Sequence, residues 1–294
     1  QCGQRPISRL SRNFSSGTQG KARAIQGTTA MTDHEPPGFE VQLLGRTPYS
    51  SHDPTRLHSL GIALERQQGV HAIASDRRVD FDTWPGTVAC TPPGVDVFSE
   101  SATGGEYLVV RCTQAHWEQW LSEGASATQA RRVVTPGQRS ALQIAHQLRQ
   151  LLLSTEPDTL AIEQAALCFM AGQCHAPTAR VEALRPVYRP VLERMAAEFA
   201  QPLSIAQLAR MVQRTPLQFL REFSQLLGMT PHAFLVETRV QAARSMMRAD
   251  AYSLAGIAHD CGFSHQSHMG VAFRKTLGLT PRQYLARIRH TGKQ

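Results

Sequence analysis

From Ser253 to Leu285, apolar residues recur at helical spacing in two short runs separated by a few positions. Leu254, Ile257, Ala258 and Cys261 fall at i, i+3, i+4 and i+7, so the first run predicts a short helix with one apolar face and Ser253 as its cap. Cys261-Gly262-Phe263 predicts a sharp bend, because Gly262 takes positive φ without steric cost and Phe263 can plug the angle between two helices. The second run, His265 to Leu277 with Ser264 as the expected cap, buries Met269, Phe273 and Leu277. It leaves His265, Gln266, His268, Arg274 and Lys275 outside. Gly278 then predicts a helix stop, and Thr280-Pro281 a cap followed by a first-turn proline.

The same pattern occurs earlier in the chain. Ile205, Leu208, Ala209 and Val212 match the first run at an offset of 49, and LGMTPHAFL from Leu227 matches LGLTPRQYL from Leu277 at an offset of 50. Two copies of one helix-turn-helix unit are therefore expected. The helix from Pro231 to about Arg248, with Val236, Val240, Ala243 and Met247 on one face, joins them and spans roughly 27 Å at 1.5 Å per residue.

Residues 40 to 112 have a different texture. SLGIALE, VHAIAS, GTVACTP, VDVFSE and EYLVVRC read as strands separated by Pro- and Gly-rich turns, which predicts a small sandwich or barrel. Helices follow at about Gln114 to Leu121, Pro136 to Leu153 and Asp158 to Gly172. The last two carry broad apolar faces that suit either dimer contacts or packing on their own sheet. Pro177 and Pro186 mark a linker, and Pro190 opens a helix with Leu192, Met195, Ala196 and Phe199 on one face. The expected fold is α+β: residues 1–38 a disordered basic segment, 39–175 a β-rich domain with trailing helices, 176–187 a linker, and 188–290 an all-α domain with two helix-turn-helix motifs.

Charge sharpens this division. The chain carries a formal +8, and residues 188–294 hold 14 Lys+Arg against 6 Asp+Glu while residues 1–187 hold 17 of each. The whole positive excess coincides with the repeated motif, as phosphate contacts require. Polar donors on a protruding helix suit the major groove of double-stranded DNA. Residues 1–30 hold five basic residues and no acid; that composition also fits an organellar transit peptide, or upstream sequence before a start at Met31. The six cysteines, Cys2, Cys90, Cys112, Cys168, Cys174 and Cys261, form no C-x-x-C and read as reduced thiols of a cytoplasmic protein. No phosphate loop, G-x-S-x-G or cluster of metal ligands is present, so no enzyme activity, cofactor or metal is expected. His52, His58 and His71 lie in the strand region without the H-x-H pair of a metal-binding cupin. No apolar run is long enough for a membrane helix.

Residues 188–290 resemble the DNA-binding domain of the AraC/XylS family of bacterial transcription regulators. The resemblance rests on Ile257-Ala258, Gly262-Phe263, Ser267-His268, Phe273, Gly278, Thr280-Pro281 and Tyr284, with Arg239 and Ala243 before them. More loosely, Thr91 to Phe98, TPPGVDVF, is similar to a turn and strand of that family's cupin-like N-terminal domain. The resemblance implies a bacterial, nucleoid-associated regulator. Its implied partners are an operator, a homodimer partner, a small organic effector and RNA polymerase; a regulator without any effector is the alternative. DNA contacts are expected from Thr215, Leu217, Gln218 and Arg221 in the first motif, and from Ser264, His265, Gln266, His268, Arg274 and Lys275 in the second. Phe81, Trp84, Phe98 and Tyr107 are candidate effector contacts. Two departures stand out. Val271 occupies the position of Arg221, and Gln213-Arg214 stands where the second motif has Gly262-Phe263, which predicts a differently shaped first turn.

Overall fold

The computed structural model describes residues 23–26, 39–53, 56–121, 131–154, 158–171, 179–249 and 253–291. Cys2, Met31, Cys174, Pro177 and most of residues 1–38 lie outside these.

The N-terminal part is two antiparallel sheets. The larger sheet has the order β1 (Arg23–Gln26), β2 (Phe39–Leu44), β9 (Tyr107–Cys112), β4 (His58–Ala63), β7 (Val88–Thr91), β10 (Val133–Thr135). The smaller sheet has the order β3 (Tyr49–Asp53), β8 (Val97–Ser101), β5 (Gln67–Ile73), β6 (Val79–Thr83). Strands β4, β5, β7, β8 and β9 are those that the short apolar runs and turn signals predict; β1 falls within the segment expected to be structureless. In the larger sheet one face is apolar throughout: Val41, Leu60, Ile62, Val88, Leu108 and Val110 are all at most 1% exposed. Against it pack three helices, α1 (Gln114–Leu121), α2 (Arg139–Leu153) and α3 (Thr159–Ala171).

The C-terminal part is all helical. It begins with α4 (Ala179–Ala197), which runs through residues 179–187 despite Pro186 and Pro190 inside it. The physical reason is a continuous apolar stripe: Leu184, Tyr188, Val191, Leu192 and Met195 recur at helical spacing, and all are buried. The first motif is α5 (Ile205–Met211) and α6 (Pro216–Leu227), then comes the connecting α7 (Pro231–Arg248), and the second motif is α8 (Leu254–Asp260) and α9 (Gln266–Leu277), followed by α10 (Pro281–Thr291).

The two parts share one hydrophobic core, in which Trp84 and Leu142 pack in the same cluster as Phe219, Phe223 and Leu227. Helix α2 lies between the C-terminal ends of both second helices. At its start, the backbone of Arg139 lies about 3.1 Å from where a Cβ on Gly228 would be. Further along, Arg149 donates to the Thr276 carbonyl at 2.9 Å and Gln150 to the Lys275 carbonyl at 2.8 Å. Arg287 of α10 donates to the carbonyls of Leu152, Leu153 and Ser154 that end α2. The amphipathic face of α2 is thus consumed within the chain, by its own sheet and by the C-terminal helices.

Four charges are buried at this junction. Glu106, just before β9, accepts from Arg149 at 2.9 Å and from Arg244 at 2.7 Å. Arg149 also pairs with Glu237 at 2.6 Å, and Gln241 donates to both carboxylates. Side-chain exposure is 0% for Arg149, 1% for Glu106, 6% for Arg244 and 9% for Glu237. Two cations meet two anions, so the cluster is neutral, which is what makes its burial tolerable. The two arginines hold the Glu106 carboxyl at about 2, against the burial that would raise it. Beside them, burial and then the Arg149 charge push His146 down to about 4. Its Nε2 is buried without a hydrogen-bond partner.

These groups define an acid response. The unfolded chain takes up a proton at His146 below its ordinary value of 6.5 while the folded chain resists until about 4, so stability falls as pH drops through that window. Glu106 adds a second loss, from its ordinary 4.5 down to about 2. His146→Gln is expected to make the urea midpoint fall less between pH 6.5 and 4, where His58 and His71, also held below their ordinary values by burial, still contribute, and to leave the loss below 4.5; an unchanged upper limb would remove His146 from this account.

Candidate nucleic-acid interface

Both motifs are capped by local chemistry. Ser204 and Gln207 form a capping box at α5, and Thr215 and Gln218 another at α6, with Pro216 as its first residue. Ser253 caps α8 as its position predicts, accepting from the Gly256 N–H at 3.1 Å. The cap of α9 is His265 rather than Ser264: its Nδ1 accepts the His268 N–H at 3.1 Å, while the Ser264 hydroxyl lies 3.1 Å from His268 Nδ1. Imidazole here does the work of a Ser or Asp side chain. Accepting at Nδ1 places the proton of neutral His265 on Nε2, which leaves a donor free on the exposed side. Gly228 and Gly278 end α6 and α9 in the left-handed region, with φ of 69° and 72°.

The two turns have one shape, contrary to the expectation from Gln213-Arg214. Gln213 takes φ 53° where Gly262 takes 75°. The Arg214 N–H bonds the Ala209 carbonyl at 3.0 Å, as the Phe263 N–H bonds that of Ala258 at 2.9 Å. Tertiary packing overrides the local preference. In the plug position Phe263 is 4% exposed, whereas Arg214 pairs with Glu222 at 3.0 Å. A left-handed glutamine is strained by about 1 kcal/mol. Gln213→Gly is therefore expected to stabilise the chain by up to about 1 kcal/mol in denaturant unfolding, less what glycine loses in unfolded-state entropy. Gly262→Ala is expected to destabilise it, since a Cβ there would stand 2.5 Å from the Ala200 carbonyl. Equal effects at the two sites would contradict the shared geometry.

Every residue expected to face DNA is exposed. In α6 and its cap these are Thr215, Leu217, Gln218 and Arg221, and around α9 they are Ser264, His265, Gln266, His268, Arg274 and Lys275. Leu217 is 57% exposed and Val271 56%, large apolar side chains left on the surface among the described residues. Arg221 makes no hydrogen bond or ion pair among the described residues, while Gln218 spends its carbonyl oxygen on the Thr215 cap. Arg274 and Lys275 lie in the last turn of α9, where their charge suits the helix dipole.

Comparison with known proteins bears on this region. Residues 208–287 match the family model described as "Helix-turn-helix domain". The probable transcriptional regulator LumQ of Photobacterium leiognathi is 32% identical over 87 residues, covering 30% of this chain and 35% of LumQ. The HTH-type transcriptional regulator ArgR of Pseudomonas aeruginosa is 34% identical over 89 residues, covering 30% of this chain and 27% of ArgR. Residues 208–287 thus form a helix-turn-helix domain similar to those of transcriptional regulators. A crystal structure of a Chromobacterium violaceum transcriptional regulator with an AraC-type DNA-binding domain covers 36% of this chain and 95% of its own, at 29% identity and a TM-score of 0.34. The chain thus spans about a third or less of the length of these curated relatives.

The N-terminal candidates scatter. Phe81 and Tyr107 face the space between the two sheets, Phe81 stacked on His71 at 5.3 Å and the Tyr107 ring lying against Gly61. Trp84 is packed in the shared core with the Arg185 guanidinium 4.8 Å from its ring, and Phe98 sits on the opposite face of its strand under Arg78. The histidines are apart as well: His52 pairs with Asp96, His58 stacks on Trp117, and His71 faces inward. Of the described cysteines, Cys90, Cys112 and Cys261 are buried and Cys168 is exposed. Burial pushes the thiols of Cys112 and Cys261 up to about 12 and about 11. Among the described residues no helix is long and apolar enough to cross a membrane.

Proposed function

We propose that this protein is a sequence-specific DNA-binding transcription regulator in which α6 and α9 enter the major groove of double-stranded DNA. The observation that carries this reading is the duplicated AraC-type unit, with both second helices exposed in the part of the chain that holds the entire positive excess. Thr215, Leu217, Gln218 and Arg221 serve one half-site, and Ser264, His265, Gln266 and His268 the other; Arg274 and Lys275 hold phosphates. The two-sheet domain takes a small organic effector between its sheets, a reading supported by inward residues that are only half-buried. Its third helix supplies a dimer contact through Leu160, which is 74% exposed.

Cleavage protection of genomic fragments by the full chain is the test. Two protected major-groove patches about 10 bp apart on one face are expected, with affinity falling steeply as salt rises. One patch, or binding indifferent to salt, would refute the two-motif reading.

A further inference from the structure

The large apolar cluster of the N-terminal domain lies on one side of its larger sheet, while the other side buries only the smaller apolar residues Ala63, Ala89 and Val109 among the described residues. The other side faces the smaller sheet, and the two are bridged by polar contacts: Arg111 reaches Asp53 across the gap at 3.6 Å and Glu40 beside it at 3.8 Å. Arg111 thus has two carboxylates. Arg132 has none among the described residues. It precedes β10 at the alternation that aims its side chain inward, and its only hydrogen bond there is from Nη1 to the Thr91 hydroxyl at 3.0 Å. Its Nε is buried without a partner. The surroundings supply neutral polar groups instead of charge: the Tyr49 and Tyr107 hydroxyls and the His71 imidazole all lie within electrostatic reach of the guanidinium. The Tyr107 hydroxyl makes no hydrogen bond among the described residues. Burial and the Arg132 charge hold His71 below its ordinary value, so it contributes no competing positive charge near neutral pH.

A guanidinium taken partly out of water with no counter-ion among the described residues is costly, and the cost is recovered when an anion arrives that can take its planar fork. We propose that the space between the two sheets binds an organic monocarboxylate, its anionic end on Arg132 and the Tyr107 hydroxyl and its apolar body along the stacked pair of Phe81 and His71. This rests on the reading that the domain takes an effector and names the chemical class. The site adjoins the buried cluster between the two parts of the chain. Tyr107 is one residue from Glu106, and Tyr49 donates to Gln67, whose amide donates to the Gly105 carbonyl at 2.8 Å. An occupant that moves either tyrosine therefore pulls on the segment that holds Arg149 and Arg244.

The test uses the full chain, a set of straight-chain and aromatic monocarboxylates, and the matching primary amides, read by unfolding midpoint and titration calorimetry. At least one acid is expected to raise the midpoint, with its amide inert. Arg132→Met should weaken that acid at least roughly tenfold, and Arg132→Lys should keep part of the affinity. Thr91→Val, which frees the guanidinium without changing its charge, should weaken it severalfold; its midpoint without ligand, measured alongside, separates loss of folding from loss of binding. The proposal is overturned if no acid binds, if amides bind as well as acids, or if Arg132→Met binds like the parent. Binding by amides alone would leave the effector reading standing, whereas silence from both sets would count against that reading too.

Discussion

Arg149→Met is expected to lower the stability of the whole chain by about 3–5 kcal/mol, the range for breaking a buried ion pair by removing one partner. The loss comes less from attraction forgone than from what remains. Without Arg149, the Glu237 carboxylate keeps only Gln241 as a donor among the described residues, and Glu106 keeps Arg244 and Gln241 while facing a second buried anion. The Thr276 carbonyl at the end of α9 loses its donor as well. Arg149→Met combined with Glu237→Leu removes one charge of each sign and leaves Glu106 with Arg244, so it should cost clearly less than the sum of the single changes. Urea unfolding of the four proteins measures this. A single-variant loss below about 1 kcal/mol, or strict additivity, would mean that the four charges do not act as a unit.

This cluster was the least legible part of the sequence. Its members come from three elements separated by 43 to 138 positions, and no local window contains more than a fragment of it. A charged residue on a helix also reads by default as a solvated face. Two signals were nevertheless present. Arg149 falls directly on the stripe of Leu142, Ala145, Leu148 and Leu152, where a charge needs a partner. In α7, Glu237, Gln241 and Arg244 repeat at i, i+4 and i+7 beside the apolar stripe of Val240, Ala243 and Met247, and all six are buried. A polar stripe in register with an apolar one is what a helix with two packed sides looks like.

The helical motifs, by contrast, were legible almost to the residue, because their determinants are local. Caps, stops and i+3/i+4 spacing all act within about four positions. The departures come where a distant partner intervenes. Gln213 is driven into a glycine conformation by packing, and α4 extends back past two prolines because Leu184 and Tyr188 have a core to meet. In the sheets, β7 is buried on both faces and reads as an apolar run, whereas β3 has three exposed residues out of five and gives no such signal. Of the four aromatic residues near the strands, alternation alone could not tell which face would be the packed one, and only Phe81 and Tyr107 point between the sheets.

The remaining asymmetry between the two motifs sets the second large effect. Arg221 projects from the exposed face of α6 with no partner among the described residues, one turn beyond Leu217 and Gln218; its counterpart on α9 is Val271, preceded by a Gly270 with open space around it. A guanidinium can pair bidentately with guanine, while valine offers only contact with a thymine methyl. On the proposed reading, readout by α9 is expected to shift to its N-terminal end, where the His265 and His268 rings are exposed and Gln266 stands beside them, or to weaken to contact with a thymine methyl. Arg221→Ala is expected to cost about 1–3 kcal/mol of operator affinity and to relax base preference in one half-site only. Val271→Ala should change affinity far less and leave the Arg221 half-site untouched. Selection from a library with both half-sites randomised measures the two variants together. If the Arg221 loss is uniform across all sequences and disappears at high salt, Arg221 holds a phosphate and the first half-site is read by Leu217 and Gln218 instead.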